Sequence, residues 1–413
     1  MSRFLWTQKE DIGPSERFGH AMTYDSVRSR TVLFGGSLLL GGQSQNINDT
    51  WEWNGEFWTQ IADMGPAGRQ DHALCFDSVR QTTLLFGGLS GQNTPLGDTW
   101  SWDGEGWTQL DDTGPSARSG HAMVFDSARG RSVLFGGQSS SGVLDDTWEW
   151  DGLAWTQQQD VGPLPRWHHA LVYDLVHNYT VLFGGDPGTL VPLGDTWSWD
   201  GSTWTQIATF GATPCFSAAM VSTDVQIALF GGMGPSNTVF RETWTFDGKY
   251  WSHRQDIGPL PRSSSAMSFD TVRRSIVLFG GRDVSDSPLG NTWEHIETDP
   301  PTPPNGGAVN VLSISVTPMS AAAGDPVAAN LSLTSPALAG TQVELSWAAQ
   351  GNTTHTILSI SVIPQGESAA SITFTAPGMG GGGGGGGGGG PIQIFARTAN
   401  SAQYASATLH VHP

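Results

Sequence analysis

His121-Ala122-Met123-Val124-Phe125, Ser132-Val133-Leu134-Phe135-Gly136-Gly137, Thr147-Trp148-Glu149-Trp150-Asp151-Gly152 and Trp155-Thr156-Gln157 follow one another within residues 121–157. The first fragment is a small apolar run. The second is a β-branched run stopped by two glycines. The third alternates with period two, and the fourth is a short strand headed by tryptophan. Asp151-Gly152 supplies the positive φ that a tight hairpin between the last two demands. The stretch therefore reads as four short antiparallel strands, a to d.

Working outward, the same stretch recurs along the chain. Phe-Gly-Gly stands at Phe34, Phe86, Phe135, Phe183, Phe230 and Phe279, at spacings of 52, 49, 48, 47 and 49. Thr-Trp keeps the same beat at Trp51, Trp100, Trp148, Trp197, Trp244 and Trp293, and Trp-Thr-Gln at Trp6, Trp58, Trp107, Trp155 and Trp204, with Trp251-Ser252-His253 as a sixth copy. The a–b turn is equally regular at Asp25-Ser26, Asp77-Ser78, Asp126-Ser127 and Asp270-Thr271. Four antiparallel strands repeating at this period describe one propeller blade. The ends predict how the ring closes. Phe4–Gln8 is a d strand with no a, b or c before it, and Thr292–His295 is a c strand with no d after it. Pairing the two completes a sixth blade and leaves no unit with an open edge.

The double glycine after an apolar strand, with a tryptophan pair downstream, resembles the kelch repeat over about residues 4–298. The expected fold is all-β: a six-bladed kelch β-propeller closed by an N-terminal outer strand and spanning residues 1–298. A Pro/Gly linker follows at 299–307 (Asp299-Pro-Pro-Thr-Pro-Pro-Asn-Gly-Gly307), stiffened by its prolines. Beyond it, alternating segments at 311–316, 327–333, 342–347, 357–363, 370–374, 392–397 and 405–411 predict about seven strands. That number suggests an immunoglobulin-like β-sandwich over 308–413. Gly324-Asp325-Pro326-Val327, Pro336-Ala-Leu-Ala-Gly340 and the closing Ala-Thr-Leu-His-Val411 resemble bacterial immunoglobulin-like modules of surface and secreted proteins. The poly-Gly loop at 380–390 is expected to be disordered.

Composition narrows the partners. Charged residues are only 14% of the chain and the formal net charge is −19, which argues against nucleic acid and anionic membrane. No apolar run is long enough for membrane insertion. The opening Met1–Trp6 lacks the apolar stretch of a secretory leader. That sits against the surface-type modules, which favour an extracellular or cell-surface location. Cys75 and Cys215 fall in blades two and five, on opposite sides of the ring, so both are expected to be free thiols.

Tryptophans of strands c and d and the double glycines are expected to pack the blades. Binding is expected on the face that carries the b–c and d–a loops, because those loops vary while the a–b and c–d turns do not. Each d–a loop ends in Arg17, Arg69, Arg118, Arg166 or Arg262, with Cys215 in the fifth copy. In related kelch propellers arginines at this repeat position can line the ligand pocket. By that resemblance the five are candidates for an anion or carboxylate site, against the reading that they pin the blade. The next residue is aromatic in three copies: Phe18, Trp167 and Phe216. Aromatics beside arginine could stack on a sugar or clasp a peptide side chain. His20, His72, His121 and His169 follow three residues after the arginine, but none stands in a metal-ligand spacing, and no metal or other cofactor is expected.

Copper oxidases of the galactose oxidase type also join a kelch propeller to an immunoglobulin-like domain. Their tyrosine–cysteine and histidine set is not matched here: Tyr24, Tyr173 and Cys75 occupy regular strand a positions. With no catalytic constellation recognised, the expectation is a non-catalytic module holding a protein, peptide or glycan ligand, with the sandwich as spacer or adhesion unit. The alternatives are a carbohydrate-active kelch enzyme, epimerase- or oxidase-like, with its site at the channel mouth, and a purely structural surface protein.

Overall fold

The structure is a computed structural model. It describes residues 4–9, 12–111, 113–158, 161–209, 211–254 and 258–297, and the segments 311–317, 320–322, 325–333, 342–349, 356–362, 369–375, 390–398 and 405–412. The chain divides into two units, Met1–Thr302 and Pro303–Pro413.

The first unit is built of four-stranded antiparallel sheets, six of them among the described residues. In the third sheet the strands Ala122–Asp126, Arg131–Ser139, Gly142–Trp150 and Trp155–Gln157 lie side by side in chain order. The other sheets repeat this order. The sixth takes Ala266–Asp270, Ser275–Phe279 and Thr292–Ile296, and its fourth strand is the chain's first, Thr7–Gln8. There Thr7 lies opposite Glu294 and Gln8 opposite Trp293. The a strands of neighbouring sheets touch in succession, and the sixth touches the first, so the sheets close in a ring.

Local chemistry explains the regularity. In the a–b turn the Asp25 carboxylate accepts the backbone N–H groups of Val27 and Arg28 at 3.0 and 2.9 Å, fixing the hairpin. In the c–d turn Gly55 sits at φ +102°. The double glycine answers a tighter constraint. Gly35 and Gly36 have φ of +64° and +94°, and a Cβ on Gly35 would lie 2.9 Å from the carbonyl oxygen of Arg69 in the next sheet. That closeness lets the Gly36 N–H donate to the same carbonyl at 2.9 Å. The bond recurs from Gly88 to Arg118, Gly137 to Arg166, Gly185 to Cys215, Gly232 to Arg262 and Gly281 to Arg17. These bonds form a closed girdle of backbone hydrogen bonds between sheets.

The tryptophans pack between the sheets. Trp107 donates its indole N–H to Thr50 Oγ1 of the preceding sheet at 2.9 Å and rests 5.0 Å from the ring of Phe34. Trp58, Trp155, Trp204 and Trp251 repeat the indole–threonine bond. The b strands are buried over most of their length, and Val133-Leu134-Phe135 wholly so. Cys75 and Cys215 are buried free thiols, and burial pushes both up to about 12.

Among the described residues the second unit has two sheets. One orders Val311–Thr317, Pro326–Leu333 and Ala369–Thr375. The other orders Ser320–Ala322, Ala405–His412, Gly390–Thr398, Gln342–Ala349 and Thr356–Val362. Strands fall on every expected segment, and Ser320–Ala322 is an additional one, paired parallel to Ala405–His412. Alternation places Ile314, Val316, Val327, Ala329, Leu331, Ile372, Ile394 and Ala396 in its core. The polyglycine tract lies outside the described residues except for Gly390. Among the described residues no helix is long and apolar enough to cross a membrane.

Candidate functional site

The arginine slot has the geometry of a clamp. Arg17 donates from Nη1 to the Gly35 carbonyl at 3.0 Å and to Asp49 Oδ1 at 2.7 Å, and from Nη2 to Asp49 Oδ2 at 3.0 Å. Its Nε–H donates to the Ser15 carbonyl at 2.9 Å. The Trp51 indole adds a further bond to Asp49 Oδ2 at 2.7 Å. Arg69 with Asp98, Arg118 with Asp146 and Arg166 with Asp195 repeat the pattern, and the arginines are 0–1% exposed. Arg262 keeps the backbone bonds but meets Asn291 in place of the aspartate. The paired arginines have their donors occupied inside their own sheet, and all five are sealed from solvent. The expectation that Arg17, Arg69, Arg118, Arg166 and Arg262 line a ligand pocket is corrected accordingly: they pin the d–a loop to the sheet.

The repeated histidines are also interior. His121 Nε2 bonds the Phe86 carbonyl at 3.1 Å and sets its ring edge-on to Phe86 of the preceding sheet at 5.4 Å. His20, His72 and His169 stand likewise against Phe279, Phe34 and Phe135. Burial and the neighbouring arginine lower His20 and His121 to about 3, and hold His72 and His169 well below the ordinary range.

Between these two rows lies the slot two residues after the arginine, and it makes a second girdle. Asp71 N–H donates to Gly19, Gly120 to Asp71, His168 to Gly120, Ser217 to His168, Ser264 to Ser217 and Gly19 to Ser264, at 2.6–3.1 Å. The six backbones close a ring around the mouth, and each holds φ between +53° and +63°. Only two of the six are glycines. Left-handed backbone at a non-glycine residue costs about 1–2 kcal/mol, and such residues cluster at functional sites.

The side chains on this ring meet. His168 Nε2 lies 3.7 Å from Asp71 Oδ1, across Gly120. A Cβ on Gly120 would stand 2.7 Å from His168 Cδ2, so the glycine is what lets the pair approach. Trp167 stacks on His168 with ring centroids 4.2 Å apart. Trp167 and Phe216 are half-buried. Phe18 is buried beneath the Arg282 guanidinium, whose carbon lies 3.5 Å from its ring centroid. Arg282 is held in turn by Asp286 at 2.5 Å. Asp186, bridged to Trp167, accepts three backbone N–H groups from Gly188, Thr189 and Leu190 through one oxygen, fixing the adjoining loop.

Of the expected residues, then, Trp167 and Phe216 are half-buried beside this ring, while Phe18 and the arginines are buried. The structure adds Asp71, His168, Ser217 and Ser264, which sequence reasoning missed. Their signal was that glycine and polar residues share one repeat position.

A family model described as the KLHDC2/KLHL20/DRC7 kelch-repeats domain matches residues 54–232. Over those residues the chain is similar to that kelch-repeats domain. Among solved structures, the fold resembles one titled "Structure of YjhT", at TM-score 0.56 and 12% identity, covering 70% of this chain and 97% of that one. A structure titled "Glycoside hydrolase" aligns at TM-score 0.38 and 7% identity, covering 88% of this chain and 94% of that one. No curated protein matches the sequence.

Proposed function

We infer that the chain is a binding module: a six-bladed kelch propeller that holds a glycan, peptide or protein ligand at the mouth on its b–c/d–a loop face. The second unit is read as an immunoglobulin-like spacer or adhesion domain of a bacterial surface or secreted protein. One observation carries the reading. On a girdle that holds every copy in the same backbone conformation, four of six copies carry polar side chains in place of glycine. Polar groups kept in strained backbone on a rigid ring are pre-organised to contact a ligand. Trp167 and Phe216 supply apolar faces, and Asp71, His168, Ser217 and Ser264 supply hydrogen bonds. The arginines act one layer below, holding the loops that present them.

His168 beside Asp71, with two serines on the same ring, favours a second reading as a carbohydrate-active enzyme, since a histidine–carboxylate pair can move a proton. Screening the full chain on glycan and peptide arrays separates the two. A binding module retains an unchanged ligand, and Trp167→Ala and His168→Gly each weaken retention at least tenfold. Ligand chemically altered on incubation supports the enzyme. Undiminished binding by both variants removes the mouth as the site.

A further inference from the structure

In the first four sheets one carboxylate satisfies three donors from two side chains: both guanidinium Nη atoms and an indole N–H. In the fifth sheet the arginine is gone, replaced by Cys215, and Glu242 is served instead by Thr213 Oγ1 and the Trp244 indole, each at 2.8 Å. The sixth sheet is the reverse case. It keeps the arginine and the tryptophan but has lost the carboxylate to Asn291.

The consequence is a set of donors without an acceptor. Arg262 Nη1 donates to the Gly280 carbonyl and to Asn291 Oδ1, each at 2.9 Å, and Nε–H donates to the Leu260 carbonyl at 3.2 Å. Among the described residues Arg262 Nη2 and Trp293 Nε1 have no hydrogen-bond partner, and both atoms are buried. An amide offers one acceptor atom where a carboxylate offers two. Turning the Asn291 amide over would bring Oδ1 toward the two orphan donors but would set Nδ2 against Arg262 Nη1. In either orientation donor faces donor. The guanidinium is 0% exposed, and desolvation lowers it to about 10.

We propose that the sixth clamp is a socket for a small monovalent anion, chloride in size and charge, held by Arg262 Nη2, Trp293 Nε1 and the Asn291 amide N–H. The ion takes the role that a carboxylate oxygen plays in sheets one to four: one centre of negative charge receiving a guanidinium and an indole N–H. The Asn291 side chain is the half-exposed member of the set, so its outward swing admits the ion from solvent. A polyatomic dianion is excluded by donor number, because an enclosed set of three cannot satisfy its oxygens.

Thermal unfolding of the full chain tests this, with sodium chloride replacing sodium gluconate at constant ionic strength. Tm is expected to rise saturably by about 2 °C or more, with bromide acting like chloride. In crystals grown with bromide the anomalous peak should sit beside Arg262 Nη2 and Trp293 Nε1. Asn291→Asp restores the clamp of the other sheets. It should unfold at a higher temperature without halide and show no halide response. Trp293→Phe removes one donor and should raise the half-saturating chloride concentration severalfold, which keeps a reading available if Asn291→Asp does not fold. An equal chloride response in the parent and Asn291→Asp, no saturable response in the parent, bromide bound elsewhere, or a stronger response to acetate than to chloride would each overturn the assignment.

Discussion

Two rows of residues, two positions apart in every repeat, divide the work of the first unit. The arginine row is nearly uniform in sequence and sealed from solvent. The row two residues on shares one backbone conformation but carries glycine, aspartate, histidine or serine. Uniformity marks what every sheet needs: a buried guanidinium that ties a loop to its own strands. Variety on an equally rigid frame marks what the whole ring can present once. In a repeat protein the side chain that recurs is explained by the fold, and the one that departs is the candidate for recognition.

The sharpest way to break this contrast is to remove one partner from each row. Asp146→Ala leaves Arg118 buried and unpaired beside an orphaned Trp148 indole, and the expected loss is about 3–5 kcal/mol. His168→Gly removes a larger side chain from the mouth row, and the expected loss there is still under about 1 kcal/mol. Chemical denaturation with unchanged m-values measures both. Equal losses would dissolve the division between the rows.

Much of this organisation was legible in the sequence because its punctuation is covalent in origin. Asp-Gly and Gly-Gly can occupy backbone conformations other residues resist, so strand ends follow from where they stand, and the unpaired end strands Phe4–Gln8 and Thr292–His295 show how the ring closes. The arginines were harder to place. Their partners, Asp49, Asp98, Asp146 and Asp195, directly precede each Thr-Trp beat, about thirty residues downstream, and a pairing at that separation becomes visible only when the b and c strands bring the ends together. The mouth row was missed for a different reason. Positive φ at Asp71, His168, Ser217 and Ser264 is imposed by inter-sheet hydrogen bonds, and local propensity gives no sign of it.

Acidity sharpens the comparison at intermediate scale, because the row of interior histidines responds to pH through stability. His20, His72, His121 and His169 are neutral in both states at pH 7. As pH falls below about 6.5 the unfolded chain takes up protons that the folded chain refuses until about pH 3 at His20 and His121. The folded state therefore loses stability between those limits, and each of these two histidines contributes about 2 kcal/mol of loss by pH 5. His121→Gln keeps an N–H for the Phe86 carbonyl but cannot titrate. Its stability should fall less than the parent's between pH 7 and pH 5, by about that amount. Identical pH profiles would place the histidine outside the folded-state barrier to protonation.

The smallest expected effect is also the most discriminating. Ser217→Gly and Ser264→Gly release left-handed backbone strain without touching the clamps, and each should raise stability by about 0.5–1 kcal/mol. If the mouth ring serves only to close the sheets, such variants are improvements with no other consequence. If it presents a ligand site, the same variants should unfold later and bind less tightly, a trade of stability against function. Guanidinium melts paired with binding to whichever array ligand the parent retains read both quantities on one preparation. A gain in stability with full retention of binding would assign those two serines to the fold and leave recognition to Asp71, His168 and the aromatic pair.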